Sequence, residues 1–255
     1  MKRISINQIV TILVTLLTIT VNVLANALPL NGQDTGEISD RFDIYFVPAG
    51  YVFSIWALIY LGLIAFTVYQ ALPAQKDNPL LKKIYPAYWI GSLANILWLF
   101  QWHYNIFSLT LVAMLTILAS LIYIYVQISK ASSDLNRNQK WFVRLPFSIY
   151  LGWISVATIA NVTQVLFFFE WGGWGISPAV WAVIMLAIAT ILGMLMLWRE
   201  NDVAYVLVLV WAFIGISNSQ ADTALVANAA WFTSSLLILA VIVVSLLRWR
   251  STRRT

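Results

Sequence analysis

A chain of 255 residues that is 61% hydrophobic and only 10% charged, with a mean hydropathy of +0.83, has too little polar surface to cover a soluble globule. Fifteen Lys and Arg against ten Asp and Glu give a net charge of +5, and there is no cysteine. Disulfides, thiolate catalysis and cysteine metal sites are excluded. The bases are spread over loops and form no nucleic-acid patch, so anionic lipid headgroups are the simpler partner.

Lipid offers no hydrogen-bond partners, so each crossing must be a helix or a strand of a closed barrel. The apolar runs here are long and do not alternate, which predicts helices. Eight segments, at about 6–28, 46–71, 84–102, 106–129, 145–169, 178–198, 203–218 and 229–248, lie near the ~20 residues a crossing needs. The expected fold class is an all-α integral membrane protein with eight transmembrane helices, the seventh being the shortest.

In chain order, Lys2-Arg3 precede the first apolar run, and Ala25-Asn26-Ala27 has the A-x-A form of a signal-peptide cleavage site. The run from Ile6 to Leu28 exceeds the ~7–15 residues of an ordinary signal-peptide core and reads better as a span. Cleavage there would leave the other seven helices in the same orientation. Pro29 and a turn at Asn31-Gly32 open the loop 29–45, which carries Asp34, Glu37, Asp40 and Asp43. It reads either as a lid over a site or as a solvated connection. The second segment enters through Pro48 and Gly50 and sets Phe53, Trp56 and Tyr60 on one face. Pro73 ends it, and Asn78-Pro79 turns the chain toward the third. There Asn95, Trp98 and Trp102 share a face, and Ala87, Gly91 and Asn95 at spacing four permit a close helix approach. On the fifth segment Trp153, Ala157, Ala160 and Gln164 form a stripe with Asn161 at its flank. Ser177-Pro178 caps and starts the sixth. Segments six to eight are generic Leu, Ile, Val and Ala with Trp near the ends.

With the N-terminus inside, every Lys and Arg except Arg41 falls on the inner side, as the positive-inside rule requires. The acids Asp34, Glu37, Asp40, Asp43, Glu170 and Asp222 fall outside. A non-crossing seventh segment would move the tail from Arg248 to Arg254 to the outer face, so eight crossings are favoured over seven.

No Asp, Glu, Lys or Arg lies in the middle of a helix, which argues against a proton-driven pump and leaves no lysine for a retinal Schiff base. His103 is the single histidine and cannot build a multi-histidine metal site; it is expected at the outer water boundary, with axial ligation of a haem the minor reading. Trp89, Trp141, Trp171, Trp174, Trp198 and Trp249 lie near helix ends and read as interfacial anchors. Trp56 and Trp153 lie too far inside their helices for that. Asn95 and Asn161 read either as interhelical hydrogen-bond glue or as pocket lining.

Three of these stretches together resemble the TspO/translocator-protein family, the TspO/MBR-related tryptophan-rich sensory proteins. The entry to the second helix is similar through Pro48, Phe53, Trp56 and Ile59-Tyr60, although Ala49, Tyr51 and Ile55 depart from the usual prolines and Trp. The third helix is similar through Leu93, Ala94-Asn95, Trp98 and Phe100, and the fifth through Pro146, Tyr150, Trp153, Ala157 and Asn161. These motifs cover residues 6–169. The resemblance implies a TspO-like five-helix bundle over residues 1–174, with 175–255 an appended three-helix membrane segment ending in a basic cytoplasmic tail. It also implies a pocket for porphyrins and other hydrophobic ligands, a sensory role, and frequent homodimers. The end of the fifth helix, NVTQVLFFFEWGG, lacks the Tyr and base of the animal sterol pattern, so cholesterol is not implied.

The expected function is a membrane-embedded binding or sensory protein for a hydrophobic planar ligand such as a porphyrin, held between helices two, three and five. Phe53, Trp56, Tyr60, Asn95, Trp98, Trp102, Trp153 and Asn161 are the expected ligand-binding residues. No cofactor is obligatory, haem or porphyrin entering as ligand, and the partners are the bilayer and a hydrophobic small molecule. The expected location is the plasma membrane of a prokaryote, both termini cytoplasmic. A transporter or permease component for a lipophilic solute is the alternative. A pigment-modifying enzyme ranks lower, since no helix carries a nucleophile–base or carboxylate pair.

Overall fold

The computed structural model of the protein describes residues 4–28 and 30–252. Lys2, Arg3, Pro29, Arg253 and Arg254, used above in the charge and turn arguments, lie outside the described residues. The described residues contain helices and no strand. Eight long helices occupy the eight predicted segments: α1 (Ile6–Ala27), α2 (Ile55–Ala71), α3 (Pro79–His103), α4 (Phe107–Lys130), α5 (Leu145–Phe168), α6 (Pro178–Leu195), α7 (Val203–Ser219) and α8 (Ala224–Thr252). Local chemistry sets their ends. Ser5 and Gln8 form a reciprocal capping box on α1, Asn78 and Ser177 cap helices that open on Pro79 and Pro178, and Asn201 adopts a left-handed φ of 54° where the π-turn after α6 stops.

Six stretches of the described residues are long and apolar enough to cross a membrane: Ile6–Ala27, Gly50–Ala71, Phe107–Lys130, Arg137–Phe168, Pro178–Glu200 and Ala224–Arg250. The protein is therefore an all-helical membrane protein with six helices that meet this measure, against eight expected. The shortfall has two causes. The 17 residues of α7 are few for a crossing, while α3, at 25 residues, is long enough but carries Lys82, Lys83, Asn95, Gln101 and His103.

The chain packs as two compact units, Met1–Phe42 with Ser54–Ile154, and Asp43–Phe53 with Ser155–Thr255. This packing division falls inside α5; the sequence division after Trp174 follows a different criterion, the extent of the motifs.

In the first unit α1 is inverted relative to a soluble amphipathic helix. Its buried positions are Gln8, Thr11, Thr15, Thr18, Asn22 and Ala25, while Ile6, Leu13, Leu16 and Leu24 are exposed. Lipid tails are as apolar as leucine, so apolar side chains gain little by turning inward, and polar ones must find protein partners. They do so in sequence along the helix. Gln8 Nε2 donates to the Gln70 carbonyl at 2.7 Å, Trp89 Nε1 donates to Thr11 Oγ1 at 2.9 Å, Thr15 Oγ1 meets the Tyr88 hydroxyl at 2.6 Å and Thr67 Oγ1 at 2.9 Å, and Asn22 Nδ2 donates to Asn95 Oδ1 at 2.7 Å. Two glycines let helices approach. A Cβ on Gly91 would lie 3.0 Å from Ser120 Cβ on α4, and one on Gly62 of α2 would lie 3.1 Å from Pro146 Cβ on α5. Gly91 thus serves as expected.

The acidic loop is folded, not merely solvated. Asp34 and Glu37 form a capping box on a short helix, Thr35–Asp40, whose Ile38 is fully buried. Trp102 Nε1 donates to the Thr35 carbonyl at 3.2 Å, and the Phe42 ring meets Phe107 edge-on at 5.0 Å.

The second unit is built around α7, whose Tyr205, Val206, Leu209, Phe213 and Ile216 are all buried. A helix apolar on every side belongs in a core. The proline-glycine entry lies against it: Ala49 N–H donates to the Gly215 carbonyl at 3.1 Å and Trp211 Nε1 donates to the Val52 carbonyl at 3.1 Å. A Cβ at position 215 would sit 2.2 Å from Val52 Cγ2 and 3.0 Å from Pro48 Cβ, so glycine is what permits this contact.

Candidate functional site

The aromatic residues expected on α2 and α5 come together in the first unit. Trp56, the second residue of α2 and not deep inside it as expected because a 3-10 turn occupies Gly50–Ser54, stacks on Tyr60 one turn further with centroids 5.5 Å apart and planes at 23°. Trp56 also meets Tyr150 and Trp153 of α5 edge-on, at 5.9 and 6.3 Å. The close approach of Gly62 to Pro146 is what brings these two helices within ring contact. Trp153 and Tyr150 are buried, whereas Trp56 and Tyr60 are half-buried, so the pair presents a partly accessible platform backed by two further rings. Tyr150 was not among the expected site residues, though it belongs to the motif on that helix.

The α3 residues divide differently. The Asn95 amide accepts from Asn22 and donates to the Tyr150 hydroxyl at 3.4 Å, tying α1, α3 and α5 together. Trp98 stacks on Trp102 at 5.0 Å and 26°, and Trp102 anchors the acidic loop. The buried Trp98 Nε1 has no hydrogen-bond partner among the described residues. Phe53 and Asn161 belong to the second unit, the former half-buried and the latter buried.

His103 corrects an expectation. It is fully buried, not at a water boundary, because the folded acidic loop covers it: Nδ1 lies 3.2 Å from the Leu30 carbonyl and Nε2 lies 3.2 Å from Thr35 Oγ1. With both ring nitrogens within hydrogen-bonding distance of the loop, it acts as a strut for that loop. No group of three or more His, Asp or Glu among the described residues is placed to hold a metal.

A feature not expected from the sequence is a cavity of about 500 Å³ within the second unit, inside the ~300–1,000 Å³ typical of ligand sites. Its walls are residues 43–46, α5 between Thr158 and Phe167, the loop 171–176, and the start of α6 from Pro178 to Met185. The loop reads WGGWG. Gly173 and Gly175 have φ of 62° and 77°, and Trp174, although bulky, is held at 53°. This tight turn gathers three indoles into a triangle, Trp171–Trp174 at 5.3 Å, Trp171–Trp181 at 5.5 Å and Trp174–Trp181 at 5.9 Å, with Trp181 Nε1 donating to the Gly173 carbonyl at 2.9 Å. Trp171 is thus a wall residue in addition to lying near a helix end. The paired glycines around Trp174 were the available signal for a tight turn; helix periodicity carried none.

A family model described as TSPO-like protein matches residues 8–243. The match runs past the motif-bearing 6–169 and takes in α6, α7 and most of α8. The chain matches no curated protein and no solved structure.

Proposed function

The chain belongs to the TSPO-like family, and from that premise we propose that it is a membrane-embedded binding or sensory protein for a hydrophobic planar ligand, a porphyrin being the kind the family implies. The observation that carries this reading is the half-buried stacked pair Trp56–Tyr60 with Trp153 and Tyr150 behind it. Flat rings stack on flat rings, and the buried pair fixes the platform's orientation. In this reading the chain is not an enzyme and needs no resident cofactor. All eight helices cross the plasma membrane of a prokaryote, with both termini cytoplasmic, because all but one of the bases then lie inside.

The test is a porphyrin titration of the full chain in micelles, read by quenching of Trp fluorescence. Trp56→Leu and Trp153→Leu should each weaken binding about two- to tenfold, since offset stacking contributes ~0.5–1.5 kcal/mol beyond area burial. Unchanged affinity in both variants would remove the platform from the site. Saturable binding without flux across proteoliposomes separates this reading from a transporter for a lipophilic solute. A reporter fused to the C-terminus and found on the outer face would end the eight-crossing topology.

A further inference from the structure

The cavity of the second unit has a charge pattern that the planar-ligand reading does not use. Five aromatic residues line it, Tyr45, Phe46, Phe167, Trp171 and Trp181, together with one carboxylate, Asp43, and no Lys, Arg or His. Arg41, two residues before Asp43 and part of the first unit, donates to Asn105 Oδ1 at 2.7 Å, and the other described bases of the second unit are remote. Arg199 closes the far end of α6, about 30 Å from Pro178 by helix rise, and Arg248 and Arg250 lie at the far end of α8. The end of the unit that holds the cavity carries Asp43, Glu170 and Asp222 instead. Indole faces are electron-rich and attract a cation that sits over them, and a carboxylate at the rim adds direct attraction. No base lines the cavity to pair with an anionic ligand. Two of the polar groups on the walls are already engaged within the unit: Thr163 Oγ1 donates to the Ile159 carbonyl and Trp181 Nε1 to the Gly173 carbonyl. Trp174, at a positive φ of 53° and 80% exposed, lies in the loop that forms one wall and meets Trp171 edge-on at 5.3 Å.

We infer that this cavity is a second ligand site, distinct from the Trp56 platform, and that it takes an amphipathic cation: an apolar body of cavity size bearing an amine or quaternary ammonium. The body lies along Ile159, Val162 and Leu166 of α5 and Met185 of α6, and the ammonium sits among the indoles beside Asp43. The site does not depend on the porphyrin reading and uses none of its residues.

The probes are a matched fluorescent pair, diphenylhexatriene and its trimethylammonium derivative, titrated into the full chain in dodecyl maltoside micelles. Energy transfer from Trp is read against chain-free micelles. The cationic probe is expected to saturate, and Asp43→Asn to weaken it about two- to fivefold, the range for a solvent-accessible ion pair. The neutral probe should bind Asp43→Asn and parent alike. Asp43→Glu should restore the cationic preference, and Trp171→Leu should weaken the cation about two- to tenfold. Asp43 lies outside every helix and caps none, so the amide replacement keeps the fold; near-UV circular dichroism of each variant checks that. Equal binding of the cationic probe to parent and Asp43→Asn overturns the charge assignment while leaving the cavity a site. Failure of both probes to exceed chain-free micelles overturns the site itself. In a Trp56→Leu background the difference in cationic-probe binding between Asp43 and Asp43→Asn should persist, whereas its loss there would merge the two sites and overturn their independence. Displacement of the probe by dodecylphosphocholine identifies a choline lipid headgroup as the source of the ammonium; its failure to compete identifies a free amphiphile.

Discussion

The two units of this protein are each packed internally by a different mix of contacts. In the first, helices meet through a buried polar seam in which Gln8, Thr11, Thr15 and Asn22 of α1 each reach a partner on α2, α3 or the turn beyond α2. In the second, the core is apolar α7, and the closest contact is a glycine accepting the Pro48–Val52 segment. In lipid an apolar surface gains little by leaving the solvent, so association depends on polar pairing or on close shape fit. The first unit runs a polar seam along α1 besides its approaches at Gly62 and Gly91, and the second adds to its glycine contact the ties of Trp211 to Val52 and Tyr205 to Ser155.

The largest expected effect comes from spoiling the shape fit. Gly215→Ala places a methyl 2.2 Å from Val52 Cγ2, and overpacking of this kind costs about 1–3 kcal/mol. Thermal unfolding in micelles should show a clear loss, and an unaltered midpoint would mean the Pro48–Val52 segment does not press on α7. A smaller loss is expected from Asn22→Leu, which removes the bridge to Asn95; membrane hydrogen bonds average ~0.6 kcal/mol with a maximum near 1.7. A double-mutant cycle with Asn95→Ala isolates that coupling, and zero coupling would demote the seam to incidental contact. Smallest of all should be Leu16→Ala on the lipid-facing side of α1, 58% exposed, with a stability change within about 0.5 kcal/mol. If Leu16→Ala cost more than Asn22→Leu, the inversion of α1 would be the wrong description of how this helix is held.

Much of this protein was legible without any coordinates: the all-helical membrane class, the position of all eight long helices, the turn at Asn78-Pro79, the cap at Ser177-Pro178, and the family, which the motifs on α2, α3 and α5 resemble. These depend on local composition, which is what a window along the chain reports. The length of α7 and the polarity of α3 leave those two helices below the measure of length and apolarity that the other six meet, so their crossing rests on the charge distribution. Tertiary structure alone decided the rest. The stripe of Gln and Thr on α1 is unremarkable as sequence until partners 50 to 80 residues away give each polar group a mate. His103 reads as a boundary residue until the acidic loop folds over it. Trp171 reads as an interfacial anchor until Gly173 and Gly175 turn the chain back and set it against α6 and the segment 43–46, residues distant in sequence that enclose a space only once the second unit is packed.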